Sequence, residues 1–189
     1  MSETQYERES SREVGGATLR VVLGNIVGQH VDVIVNAANS SLLGGGGVDG
    51  AIHRTGGPDI LEACRAIRAR QGKCAPGQAV ITPAGRLHAE HVVHTVGPVW
   101  RGGESGEPDL LRSAYSESFA RAREAGARTI AFPSISTGAY RYPFRDATEV
   151  ALATARAELA AHPDAFDEVR FVAFSARDFM IYQEVLEGT

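Results

Sequence analysis

Apolar and polar positions along this chain fall into two alternating periodicities. Short runs rich in Val, Ile and Phe recur at residues 18–24 (TLRVVLG), 31–36 (VDVIVN), 79–83 (AVITP), 91–96 (HVVHTV), 129–133 (TIAFP) and 169–174 (VRFVAF). Each is short, is closed by Gly, Pro, Asn or Ser, and has the β-branched content of a strand. The run at 31–36 is almost continuously apolar, which suits a strand covered on both faces. Between these runs the spacing changes to that of helices. Ile60, Leu61, Cys64 and Ile67 follow Pro58, a residue suited to a first helical turn. Leu110, Leu111, Ala114, Tyr115, Phe119 and Ala122 mark a second helical face, ending at Gly126. An alanine-rich stretch at 147–161 predicts a third helix, and Phe179, Tyr182, Val185 and Leu186 lie on one face of a fourth. A further short helix is expected from Val48 to the Gly56-Gly57-Pro58 break. The alternation predicts one α/β domain over 15–189, with helices on both faces of a mixed sheet of about six strands. Residues 1–14 read as a polar tail.

Two loops interrupt this pattern in the same way. Residues 44–47 are four consecutive glycines directly after the apolar strand, and Ser136-Thr137-Gly138 follows the strand at 129–133. In open α/β sheets, ligands bind beyond the carboxyl ends of strands, so the two loops are expected to converge on one crevice. Glycines allow positive φ and carry no Cβ, and a helix N-terminus behind them favours an anion. A phosphate or pyrophosphate is the natural guest, with Asn39 and Asp49 the nearest polar side chains.

Composition narrows the partners. The chain has 189 residues, 43% hydrophobic and 22% charged, with a net charge of −4, as in an ordinary globular protein. That balance and the lack of a basic stripe argue against nucleic acid and anionic membrane surfaces. No apolar run approaches the roughly 20 residues of a membrane-spanning helix, and no secretory leader is visible, so a cytoplasmic setting is expected. Cys64 and Cys74 have no paired spacing and read as reduced, buried thiols. No histidine cluster or HExxH predicts a metal, and GxxxxGK[ST] is absent. Gly45-Gly46-Gly47-Val48-Asp49-Gly50 fits G-x-G-x-x-G formally, but Arg70 stands where a dinucleotide fold would place an acid.

The stretch VNAANSSLLGGGGVDGAIH, from Val35 to His53, resembles the signature loop of the macrodomain family, in its MacroD-type branch. The likeness covers roughly residues 16–188 and includes Gly24-Asn25-Ile26, Gly77-Gln78-Ala79, His94-Thr95-Val96-Gly97-Pro98 and Pro133-Ser134-Ile135-Ser136-Thr137-Gly138. It implies a three-layer α/β/α macrodomain-like sandwich that binds ADP-ribose. The branch further implies hydrolysis: removal of ADP-ribose from modified acidic side chains, deacetylation of O-acetyl-ADP-ribose, or both. A reader that binds ADP-ribose without turnover is the alternative.

By the same resemblance Asn39 hydrogen-bonds the distal ribose and Asp49 is the catalytic carboxylate; His53, four residues further along and so on the same helix face, orients Asp49 or the loop, with a structural histidine as the competing reading. Asn36 supports the loop. Gly44, Gly45, Gly46, Gly47 and Val48 form one clamp on the pyrophosphate; Ser136, Thr137, Gly138, Ala139 and Tyr140 form the other. Tyr142 is assigned to the distal ribose, and Asn25, Ile26 and Phe174 to the adenosine end; for Tyr142 and Phe174 a place in the core is the competing reading. Two positions depart from the family pattern. Asn25 stands where the family usually has the aspartate that accepts from adenine, and Arg141 stands where it has glycine. Asn25 still accepts through its amide oxygen; Arg141 either faces the phosphates or points to solvent. ADP-ribose or ADP-ribosylated proteins are the expected partners of a monomeric chain that needs no cofactor.

Overall fold

The computed structural model describes residues 8–188. Its seven strands form one sheet in the order β1-β2-β7-β6-β3-β5-β4. They are β1 (Glu9–Val14), β2 (Ala17–Leu23), β3 (Val33–Ala38), β4 (Ala79–Pro83), β5 (His91–Val96), β6 (Thr129–Phe132) and β7 (Glu168–Ala173). The helices are α1 (Gly47–Gly56), α2 (Pro58–Gln71), α3 (Glu107–Glu124), α4 (Phe144–Ala161) and α5 (Ala176–Glu187). Strands β2, β7, β6, β3 and β5 run parallel, while β1 and β4 close the two edges antiparallel.

Strand β1 corrects the expectation of a polar tail over residues 8–14, and supplies a seventh strand; residues 1–7 lie outside the described residues. Its sequence, ESSREV, has no apolar face and is mostly exposed, so no alternation betrays it. It forms because β2 offers an open edge, paired from Glu9↔Val22 to Val14↔Ala17. A charged edge strand is also a common protection against unwanted pairing with other sheets.

Because side chains alternate across a strand, β3 feeds two cores. Val33 and Val35 join the larger one, with α3, α4 and α5 above it; Ile34 and Ala38 join the smaller one, under α1 and α2. The larger core is aromatic. Phe132 and Phe171 stack at 5.3 Å, and Tyr115, Phe119 and Tyr182 close around them. Such large rings dominate burial energetics. The smaller core contains Ile52, Ile60, Cys64 and Ile67, and on this side the polar Asn36, Thr82 and His94 are also buried. No described helix is long and apolar enough to cross a membrane.

Candidate functional site

The carboxyl ends of β6, β3 and β5 lie side by side, and the chain leaves all three on the same rim. A crevice of about 340 Å³ opens there. Its floor is Ala37, Ala38 and Asn39 at the end of β3; one wall is 45–49, the other Gly97 with Ser134 to Ser136 and Gly138 to Tyr140. The two glycine-bearing loops therefore converge as the sequence implies. Helix α1 starts at this wall. Its N-cap, Gly46, offers no side-chain hydrogen bond, so the first-turn amides have neither a cap nor an intrahelical acceptor. Gly47 sits at φ +56°, a turn that only glycine makes without strain.

Asp49, in the first turn of α1, is 5% exposed. Its Oδ1 accepts from Asn36 Nδ2 at 2.8 Å and lies 3.2 Å from His53 Nε2. Its Oδ2 lies toward Gly45, 3.1 Å from where a Cβ on that residue would stand, and Asn39 Nδ2 is 3.2 Å from the same point. The acid and the amide thus both border Gly45 on the crevice wall. Asn39 is itself fixed: its Nδ2 donates to Gly44 O at 2.9 Å, and its Oδ1 accepts from Ser41 N and Oγ. Behind Asp49, Asn36 Nδ2 is 3.0 Å from His94 Nδ1, and His94 Nε2 is 2.9 Å from Thr82 Oγ1. Burial, with His53 nearby, pulls the His94 pKa down to about 3, so the ring is neutral. Burial, with the charge of Asp49 adding to it, pushes the Cys64 thiol up to about 11, the profile of an inert structural thiol. Both cysteines are free and buried.

The family model of the Macro domain matches residues 35–151, a span that holds both walls of this crevice. The chain belongs to the macrodomain family. This macrodomain is 53% identical over 168 residues to a Cronobacter sakazakii protein named O-acetyl-ADP-ribose deacetylase, covering 89% of this chain and 93% of that one. It is 58% identical over 170 residues to a Macro domain-containing protein of Streptomyces griseus, covering 89% and 94%. The Oceanobacillus iheyensis macrodomain solved with ADP superposes with a TM-score of 0.91 at 38% identity, over 96% of each chain. A Trypanosoma brucei macrodomain in complex with ADP-ribose gives 0.80 at 40% identity, over 88% of this chain and 68% of that one. The Oceanobacillus protein has also been solved with alanine replacing an asparagine and an aspartate ten positions apart, and with valine replacing a glycine between them. Asn39, Gly46 and Asp49 stand at the same intervals here.

Not every residue assigned from sequence lines the crevice of this macrodomain. Asn39, Gly45, Gly46, Gly47, Val48 and Asp49 do, as do Ser136, Gly138, Ala139 and Tyr140. Gly44 and Thr137 belong to the same loops without lining it. His53 does not line the crevice; its Nε2 lies 3.2 Å from Asp49 Oδ1, behind that carboxylate. Tyr142 is 3% exposed and packs in the larger core, tilted on Trp100 at 4.5 Å, so it is not a wall of the crevice. Arg141 is exposed at φ +61°, outside the lining; the left-handed backbone there explains why the family pattern has glycine. Asn25 caps the 3-10 turn Ile26–Gly28, with Oδ1 accepting from Val27 N at 3.2 Å, and Ile26 is buried beneath. Phe174 is the reverse of a core residue: it is 80% exposed, immediately after β7. Since Gly24 N donates to Ala173 O, Asn25 and Phe174 leave adjacent strands on the same rim as the crevice.

The sequence reading missed Gly97, Ser134 and Ile135, although all three follow strands adjacent to β3. A Cβ on Gly97 would stand 2.1 Å from Ser136 Oγ and 2.6 Å from Ile135 Cγ2; the loops touch because that side chain is missing. The strand-end rule that pointed to residues 44–47 applied equally to Gly97. Among the described residues no group of three or more His, Cys, Asp and Glu is placed to hold a metal ion.

Proposed function

We propose that this macrodomain is a hydrolase of ester-linked ADP-ribose. Its substrates are O-acetyl-ADP-ribose and proteins carrying ADP-ribose on acidic side chains. The observation that carries the reading is that Asn39 Nδ2 and Asp49 Oδ2 both border Gly45 on the crevice wall, beside uncapped helix amides suited to a diphosphate. A pure reader gains nothing from a buried carboxylate facing the sugar.

In this reading the α1 amides and the 136–140 loop hold the diphosphate, and Asn39 donates to the distal ribose. Asp49 Oδ1 is occupied by Asn36 and His53, so Oδ2 is the oxygen left to orient water. Attack on the ester carbonyl of the acetylated sugar yields acetate and ADP-ribose. Most of the rate gain then comes from positioning and from preorganised donors. The adenosine end extends along the rim toward Asn25 and Phe174. The reading is supported by the relatives named as deacetylases and by the neighbours solved with ADP or ADP-ribose.

The test is direct. The protein is incubated with O-acetyl-ADP-ribose, and separately with a glutamate-linked mono-ADP-ribosylated protein, and released acetate and ADP-ribose are followed. Asp49→Ala should lose at least about tenfold in turnover while ADP-ribose affinity, by calorimetry, stays within a few-fold. Binding of ADP-ribose without release from either substrate would make the protein a reader. Unchanged turnover in Asp49→Ala would remove the carboxylate from its role.

A further inference from the structure

We propose that His94 and Thr82, buried on β5 and β4 away from the crevice, are positioning residues that hold the Asp49 carboxylate through Asn36 as one directional chain of hydrogen bonds. The inference rests on the hydrolase reading and deepens it.

The direction of the chain follows from donor inventories. Asp49 is acceptor-only when ionised, so the Asn36 group 2.8 Å from its Oδ1 must be the NH₂. The same Nδ2 is 3.0 Å from His94 Nδ1, so that ring nitrogen must accept. A neutral imidazole that accepts at Nδ1 carries its proton on Nε2. That N–H therefore donates to Thr82 Oγ1 at 2.9 Å, and the Thr82 hydroxyl donates onward to Pro83 O at 3.0 Å. Every hydrogen on the path has a close acceptor, and both hydrogens of Asn36 Nδ2 are spent. Reversing the Asn36 amide would set its oxygen against the carboxylate. The neutral state of His94 is supported by its burial and by His53, whose ring centre lies 6.2 Å away.

The other groups facing this chain do not compete for its ends. Cys64 Sγ, on α2, is 3.7 Å from His94 Nε2 and is a protonated thiol, a weak second partner to the same N–H. His53 Nε2, on α1, lies 3.2 Å from Asp49 Oδ1. Oδ1 is thus gripped from two directions, by α1 itself and by the sheet, and Oδ2 is left facing the crevice wall. Geometry held this way matters because small misplacements of reacting groups are costly in rate. The chain also ties α1, through β3, to β5 and β4.

The experiment uses the intact protein with O-acetyl-ADP-ribose as substrate and ADP-ribose as binding probe. His94→Leu removes the acceptor and Thr82→Val removes the acceptor of the acceptor; His94→Asn returns an oxygen near the Nδ1 position. His94→Leu and Thr82→Val should lower kcat about tenfold or more with ADP-ribose Kd within about threefold of wild type, and His94→Asn should recover part of kcat. Thermal melting reports whether each variant folds, and Thr82→Val, nearly isosteric, stands in if His94→Leu does not. Nitrogen NMR of wild type should show His94 as the neutral Nε2–H form from pH 5 to 8. Full kcat in both folded variants, with wild type active and Asp49→Ala inactive, overturns the positioning role alone. An Nδ1–H or charged His94 overturns the chain whatever the kinetics. A wild type that hydrolyses neither ester substrate overturns the hydrolase reading and this role with it.

Discussion

A single methyl group at Gly97 should close the crevice from its far wall. The Cβ of Gly97→Ala would stand 2.1 Å from Ser136 Oγ and 2.6 Å from Ile135 Cγ2, whereas ordinary contact begins near 3.4 Å. The gap to be made up is about 1.3 Å for Ser136 and 0.8 Å for Ile135. Rotating Ser136 Oγ away still leaves its Cβ 3.3 Å from the new methyl, and Ile135 cannot give easily. Ile135 is 1% exposed in the larger core, and Ser136 is 8% exposed at φ +67°, a backbone already in the left-handed region. The 134–140 loop therefore has to move as a unit. Overpacking of this kind costs about 1–3 kcal/mol, or roughly 2–12 °C of melting temperature for a domain of this size. A shift of about 1 Å in a positioning loop costs on the order of a hundredfold in turnover. The assay pairs thermal melting with ADP-ribose calorimetry and hydrolysis of O-acetyl-ADP-ribose. Gly46→Ala controls the melting measurement alone: its Cβ meets nothing within 4 Å and its φ is −95°, but it lines the crevice. If Gly97→Ala melts and binds as wild type does, the far wall is not where the structure puts it and the reasoning fails.

Phe174→Ala should leave the melting temperature almost unchanged, since the ring is 80% exposed, yet weaken ADP-ribose about fivefold or more if adenine stacks there, since such stacking contributes about 1–3 kcal/mol per base; calorimetry showing equal affinity would separate Phe174 from the ligand. Arg141→Gly should raise stability by up to about 1 kcal/mol by relieving the left-handed backbone, with unchanged affinity for ADP-ribose; a fall in affinity would bring that side chain to the phosphates. Glu107 accepts from the amides of Arg101, Gly103 and Ser105. Burial alone would raise its pKa, but these amides outweigh it and hold the carboxyl below its usual value. A depressed carboxyl stabilises above its unfolded pKa and loses that contribution as pH falls through the folded value. Glu107→Gln should therefore lower the melting temperature at pH 7, with the gap to wild type shrinking below about pH 4.5; a gap independent of pH would show that the charge is irrelevant.

Much of this could be read in the residues. Continuous apolar runs marked the buried parallel strands, and the glycines after them marked the rim, because a covered strand and an anion-binding turn each demand particular side chains. What escaped notice had no local demand to satisfy. Strand β1 is polar on both faces and exists only through the partner edge of β2. Phe174 extends an alternating run, so its pattern is that of a core residue, but β7 ends at Ala173 and the ring emerges on the rim. Tyr142 sits in a loop rich in polar residues, yet Trp100 draws it inward. The helix expected from 110 begins at Glu107, whose carboxylate gathers the preceding loop. The link from Asp49 to His94 joins α1 to a strand far along the chain, and no periodicity announces a contact between distant segments.

The parallel arrangement of β2, β7, β6, β3 and β5 has a practical corollary at the end of the sheet remote from the crevice. There the turns carry no part of the machinery described above: His30 and His88 stack on each other at 4.1 Å, and Arg128 pairs with Asp167 at 2.7 Å. A fluorophore, an affinity handle or a surface tether attached on that underside should leave nucleotide entry unobstructed.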